Sequence, residues 1–150
     1  MSNQPMVPFE TTLLLRDTCL CLHVQRSARA LARHFDDVLR PLGLTNGQFS
    51  LLMALNQPKP PGMGMVAALL AMDRTTLTAA LKPLERRNLV QVTKDPKDRR
   101  GRLLNLMPEG LMLLSEAIPL WRQAHDAIEE QLGSLNAERL RVGLRTLATL

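Results

Sequence analysis

The chain has 150 residues, 45% hydrophobic and 22% charged, a balance typical of a folded domain and unlike that of a disordered segment. A net charge of +5 and a pI of about 10.0 favour an anionic partner, yet three Phe, one Trp and no Tyr supply few stacking platforms for single-stranded nucleic acid. Two cysteines exclude a disulfide framework, no leader pattern precedes Thr11, and no apolar run is long enough to span a bilayer, so a soluble cytoplasmic protein without membrane contact is expected.

Residues 1–9, with Pro5 and Pro8, read as a tail. Cys21, Val24, Ala28, Leu31, Phe35, Val38 and Leu42 then recur at steps of three and four, which predicts one continuous helix over residues 10–42 ended by Pro41 and Gly43. Arg26, Arg29, Arg33, Asp36, Asp37 and Arg40 occupy its other side. Thr45 followed by Gln48 has the form of a capping box and opens a second helix to about Gln57. Pro58 to Gly62 is a rigid connector, and Met63 to Ala71 a short third helix. Asp73 is a good N-cap for a fourth, Arg74 to Asn88, with Leu77, Leu81 and Leu84 facing a core and Pro83 inside it.

Leu89–Thr93 and Arg102–Leu106 are two short β-leaning runs around a polar, turn-rich loop, which together predict a hairpin. Pro108 suits the first turn of a fifth helix to Leu132, which Pro119 should bend, and Leu140, Leu144 and Leu147 mark a last one.

The charge is concentrated in one segment. Residues 74–102 hold nine basic side chains (Arg74, Lys82, Arg86, Arg87, Lys94, Lys97, Arg99, Arg100 and Arg102) against the acids Glu85, Asp95 and Asp98, a surplus that exceeds the net charge of the whole chain. Helix, helix and hairpin, with positive charge on the second helix and the loop, is the order of a winged helix-turn-helix. Such a helix fits the major groove of B-DNA, and an Arg at the hairpin tip suits the narrow minor groove. Arg74, Thr75, Thr76, Thr78, Lys82 and Arg86 on the helix, with Lys97, Arg99 and Arg100 on the wing, are the expected contacts to double-stranded DNA.

These stretches resemble the MarR family of transcriptional regulators. Leu44-Thr45-Asn46-Gly47-Gln48-Phe49 is similar to that family's second-helix opening, and Met72-Asp73-Arg74-Thr75-Thr76-Leu77-Thr78 to its recognition-helix entry. Asp95-Pro96-Lys97-Asp98-Arg99-Arg100 resembles its wing, with Asn88 where Gly is usual and Met107 where Thr is usual. The resemblance implies a mostly α fold with a small β-hairpin wing. Residues 43–107 would form the DNA-binding lobe, and residues 1–42 and 108–150 the dimerisation helices. It further implies a homodimeric repressor on a palindromic operator, released by a small aromatic or phenolic effector. Arg100 would enter the minor groove, with Asp98 as the acidic partner that orients it.

The remaining polar candidates are weaker. Phe49, Met53, His23 and His125 could line an effector pocket, although helical apolar stripes usually build core. Cys21 falls where organic-hydroperoxide sensors of the same family carry a reactive thiol. Peroxide sensing is thus the alternative function, against packing of an inert thiol, and the supporting tyrosines are absent from this sequence. Cys19, Cys21 and His23 do not share a helix face, so no metal site or cofactor is expected. No nucleophile motif or convergent carboxylate pair points to an enzyme.

Overall fold

A computed structural model describes residues 6–150; the first five residues of the expected tail lie outside the described residues. Helix α1 (Phe9–Thr18) and helix α2 (Leu20–Leu39) replace the single long helix read from the periodicity. The break is Cys19, whose ψ of 109° is extended. Just before it, the Thr18 hydroxyl donates to the Leu14 carbonyl at 2.7 Å, a back-bond of the kind that bends helices. The Cys19 carbonyl then starts α2, accepting the His23 N–H at 3.1 Å.

The chain divides into two compact units, one ending at His34 and one spanning Phe35–Leu150, with the boundary inside α2. In the second unit the end of α2 leads through a short 3-10 turn, Arg40–Leu42, into helix α3 (Asn46–Leu55), α4 (Met63–Leu69) and α5 (Arg74–Arg86). Strands β1 (Val90–Asp95) and β2 (Asp98–Leu106) follow, then α6 (Pro108–Leu132) and α7 (Ala137–Leu147). The capping box is formed: Gln48 N–H donates to Thr45 Oγ1 at 3.2 Å and Thr45 N–H to Gln48 Oε1 at 3.0 Å. Helix α6 begins at Pro108, as its sequence predicts, and runs unbroken through Pro119.

The core is mostly leucine. Leu39, Leu52, Leu77, Leu81, Leu84, Leu104 and Leu114 are each at most 2% exposed, drawing α2, α3, α5, β2 and α6 onto one centre. Truncating any of them to Ala removes roughly 2–5 kcal/mol of packing. The first turns of α6 belong to this core through Gly110, Leu114 and Ala117. By contrast α7 has no buried residue, and Leu140, Leu144 and Leu147 stand 46%, 42% and 37% exposed along it.

Candidate nucleic-acid interface

Helices α4 and α5 turn through 101° across the four residues Leu70–Asp73, the angle of a helix-turn-helix. Ala71 sits in that turn at φ 52°, a left-handed conformation that its Cβ disfavours. Asp73 then caps α5. Its carboxylate accepts the Thr76 N–H at 2.7 Å and the Thr76 hydroxyl at 3.0 Å, and those two bonds hold its pKa below the usual carboxylate value. A group whose folded pKa is depressed stabilises the fold above the ordinary carboxylate range and loses that contribution as pH falls through the lowered value. Asp73→Ala should therefore melt earlier than the parent at neutral pH, and the gap should close in acid.

The leucines Leu77, Leu81 and Leu84 fix which side of α5 faces out. Arg74, Thr78, Lys82 and Arg86, at steps of four, form one exposed line about 18 Å long, and Thr75 and Thr76 are exposed at the helix entry. The threonines are less available than their exposure implies, because Thr76 Oγ1 is held by Asp73 and Thr78 Oγ1 donates to the Arg74 carbonyl at 2.8 Å. Lys82 lies 3.9 Å from Glu85. The helix continues over Pro83 and ends at Asn88, whose φ of 59° and the bond from Leu89 N–H to the Leu84 carbonyl make a Schellman cap. Asn thus does the work of the usual Gly.

The hairpin is longer than its turn-rich sequence suggests. Its loop is only Pro96-Lys97, and most of the expected loop is strand. Lys94 pairs with Arg102 while Asp95 pairs with Asp98, so Arg99, Arg100 and Gly101 have no partner across the ladder. The bulge displays both arginines, exposed, at the wing tip. Gly101 permits it, since a Cβ there would lie 3.1–3.3 Å from Asp95 and Asp98 atoms. The Asp98 carboxylate does not hold the Arg100 guanidinium: it accepts the Arg100 backbone N–H at 3.0 Å, and no ion pair joins the two side chains among the described residues. Asp98 shapes the tip and leaves the Arg100 guanidinium unpaired.

The line and the tip meet around a groove of about 370 Å³ lined by Gly64, Arg74, Thr78, Asp98, Arg100 and Arg102 among others. The Arg74 guanidinium lies over Gly64, 3.1 Å from where a Cβ would stand. Of the nine basic residues in the segment, Arg87 faces elsewhere: its guanidinium donates to the Gly43 carbonyl at 2.7 Å and so ties the end of α5 to the turn after α2. Sequence reading missed that role, which depends on a contact 44 residues away.

A model of the MarR family matches residues 44–101, the stretch from α3 through the wing tip. The chain is 37% identical over 100 residues to the HTH-type transcriptional repressor NicR of Pseudomonas putida, which covers 66% of this chain and 61% of the repressor. Its fold aligns at TM-score 0.80 with the M. tuberculosis regulator MosR in complex with DNA, 34% identical over 88% of this chain and 95% of that one. The chain belongs to the MarR family of DNA-binding transcriptional regulators. A further MarR-fold neighbour, CouR from Rhodococcus jostii RHA1 bound to p-coumaroyl-CoA, aligns at TM-score 0.76 with 26% identity, covering 88% of this chain and 93% of its own.

Within this MarR-family chain the expected pocket residues separate. Phe49 and His125 come together through Trp121: the Phe49 and Trp121 rings stack at 6.4 Å between centroids, and Trp121 and His125 at 4.7 Å. His125 Nδ1 lies 3.7 Å from Glu129, which accepts from Arg141 at 2.7 Å. Met53 is 46% exposed and so is not core. His23 lies in the other compact unit, where its Nδ1 sits 2.8 Å from the Cys19 carbonyl. Cys21 is exposed there and Cys19 half-buried, so Cys21 is not part of the core of its own chain. Among the described residues no His, Cys, Asp or Glu cluster could hold a metal, and no single helix is long and apolar enough to cross a membrane.

Proposed function

We propose that this protein is a homodimeric repressor that binds a palindromic operator in double-stranded DNA and is released by a small aromatic effector. The observation that carries the reading is the pairing of an 18 Å cationic line on α5 with two bulge-displayed arginines, a helix for the major groove and a tip for the minor groove. Arg74, Thr75, Lys82 and Arg86 act on the helix, and Lys97, Arg99 and Arg100 on the wing. Thr76, Thr78 and Asp98 instead brace the local backbone, at the Asp73 cap, the Arg74 carbonyl and the Arg100 N–H. The DNA-bound state of MosR and the repressor name of NicR support the same reading.

Residues 43–107 form the DNA-binding lobe in this proposal, and residues 1–42 and 108–150 supply the dimer. The uncovered leucines of α7 support that assignment, because an amphipathic helix with no buried residue lacks its partner in a single chain. The stacked rings of Phe49, Trp121 and His125 are the effector platform, and the aromatic ligand of CouR supports an effector of that kind.

Trp121 is the single tryptophan, so its fluorescence reports on that platform directly. Titrating hydroxybenzoates and hydroxycinnamates should quench Trp121 emission and release a labelled duplex from the protein's own upstream region over the same concentrations. Equal affinity for that duplex and a scrambled one would remove sequence-specific repression. Release without quenching would remove the effector platform.

A further inference from the structure

The charge surplus of residues 74–102 leaves the rest of the chain near neutral, but neutrality in sum conceals a second cationic surface. Between Leu20 and Phe35, α2 carries Arg26, Arg29 and Arg33 and no acid at all. The three arginines, with His23, Ser27 and Ala30, line an open cavity of about 540 Å³. That is within the size range of small-molecule sites. They project opposite the apolar positions Val24, Ala28 and Leu31, by the 100° step of the helix. None of the three makes an ion pair or side-chain hydrogen bond among the described residues, whereas the nearest acid before them, Asp17, is already paired with Arg16 at 2.7 Å.

We infer that this face of α2 binds a small molecule bearing two or more linked phosphate groups. Three guanidinium groups at i, i+3 and i+7 spread their charge over about 10 Å of helix axis, more than one carboxylate or one phosphate can span. Guanidinium groups hold phosphate oxygens in bidentate pairs, and their weak hydration lowers the cost of stripping water from the contact. His23, one turn before Arg26, stands at the end of the row with its Nδ1 turned to the Cys19 carbonyl. The site shares no residue with the α5 and wing surface, and does not depend on that surface binding DNA.

Isothermal titration of the full-length protein with inorganic tripolyphosphate and with orthophosphate, at constant ionic strength, tests it. Tripolyphosphate should bind at least about tenfold more tightly than orthophosphate, and Arg29→Ala and Arg33→Ala should each weaken it by about tenfold. Arg100→Ala should leave tripolyphosphate binding unchanged. All three substitutions are of exposed side chains, and circular dichroism checks that each variant is folded. Equal affinity for the two anions, no effect of the α2 substitutions, or a matching loss with Arg100→Ala would each overturn the assignment. So would an equal loss of non-operator duplex binding in the α2 variants, which would make this face a DNA contact.

Discussion

Arg100→Ala should weaken operator binding by roughly 10- to 100-fold at fixed salt, and should lower the slope of log affinity against log salt by about 2 for a dimer. The number follows from counterion release, since each protomer loses one cation that displaces condensed ions from the duplex. The geometry adds a second expectation. Because Asp98 accepts the Arg100 N–H and not its guanidinium, the carboxylate's charge does no work at the tip. Asp98→Asn keeps an oxygen acceptor for that N–H and removes a negative charge from the interface, so it should bind operator at least as tightly as the parent. Asp98→Ala loses the acceptor, loosens the bulge and should bind less tightly. Fluorescence anisotropy at three or more salt concentrations measures all of these. An unchanged slope for Arg100→Ala removes the wing from the interface. A loss with Asp98→Asn equal to that of Arg100→Ala restores the ion-pair role.

That contrast shows where the sequence was legible and where it was not. Local rules carried the ends of elements: the Thr45–Gln48 capping box, the Asp73 cap, Pro108 at the start of α6 and the left-handed Asn88 all depend on residues within one turn of each other. The leucine spacing on α5 likewise set the outward line of Arg74, Thr78, Lys82 and Arg86. The break at Cys19 escaped because no Pro or Gly marks it. The wing was read as mostly loop because Asp95, Pro96, Asp98 and Gly101 each favour turns; in the structure two residues make the turn and a bulge absorbs the rest. Charge counting includes Arg87 in the basic surplus without giving it a role, and a carbonyl 44 residues away claims it. Summed charge also hid the stretch of α2 between Leu20 and Phe35, where three arginines are offset only by acids outside it. Pairwise tertiary contacts are what a one-dimensional pattern leaves out.

Gly110 is the sharpest instance, and it carries a large expected effect on stability. It occupies the first turn of α6, where intrinsic propensity alone would make Ala better by up to about 1 kcal/mol. The structure reverses the sign. A Cβ at Gly110 would stand 2.2 Å from the Leu89 carbonyl oxygen, 2.9 Å from Leu106 Cδ1 and 3.1 Å from the Leu89 carbonyl carbon. The Leu106 methyl could turn aside; the carbonyl cannot. It already accepts the Met107 N–H at 2.9 Å, and Leu89 is itself held by its N–H bond to the Leu84 carbonyl at the end of α5. Relief would require α6 to back away from the strand and pull Leu114 and Ala117 out of the core. Overpacking against fixed backbone costs roughly 1–3 kcal/mol and more when nothing can move, so Gly110→Ala should lose about 3 kcal/mol net. Gly143→Ala is the matched control: it lies within α7 with nothing within 4 Å of its Cβ position, and should gain up to about 1 kcal/mol from propensity alone. Urea unfolding of both variants at one protein concentration decides the matter. A Gly110→Ala protein as stable as the parent would mean that α6 and β1 are not packed at the distance the fold requires. If Gly143→Ala were instead as damaging as Gly110→Ala, the exposed surface of α7 would be a tightly packed dimer seam that admits no added methyl.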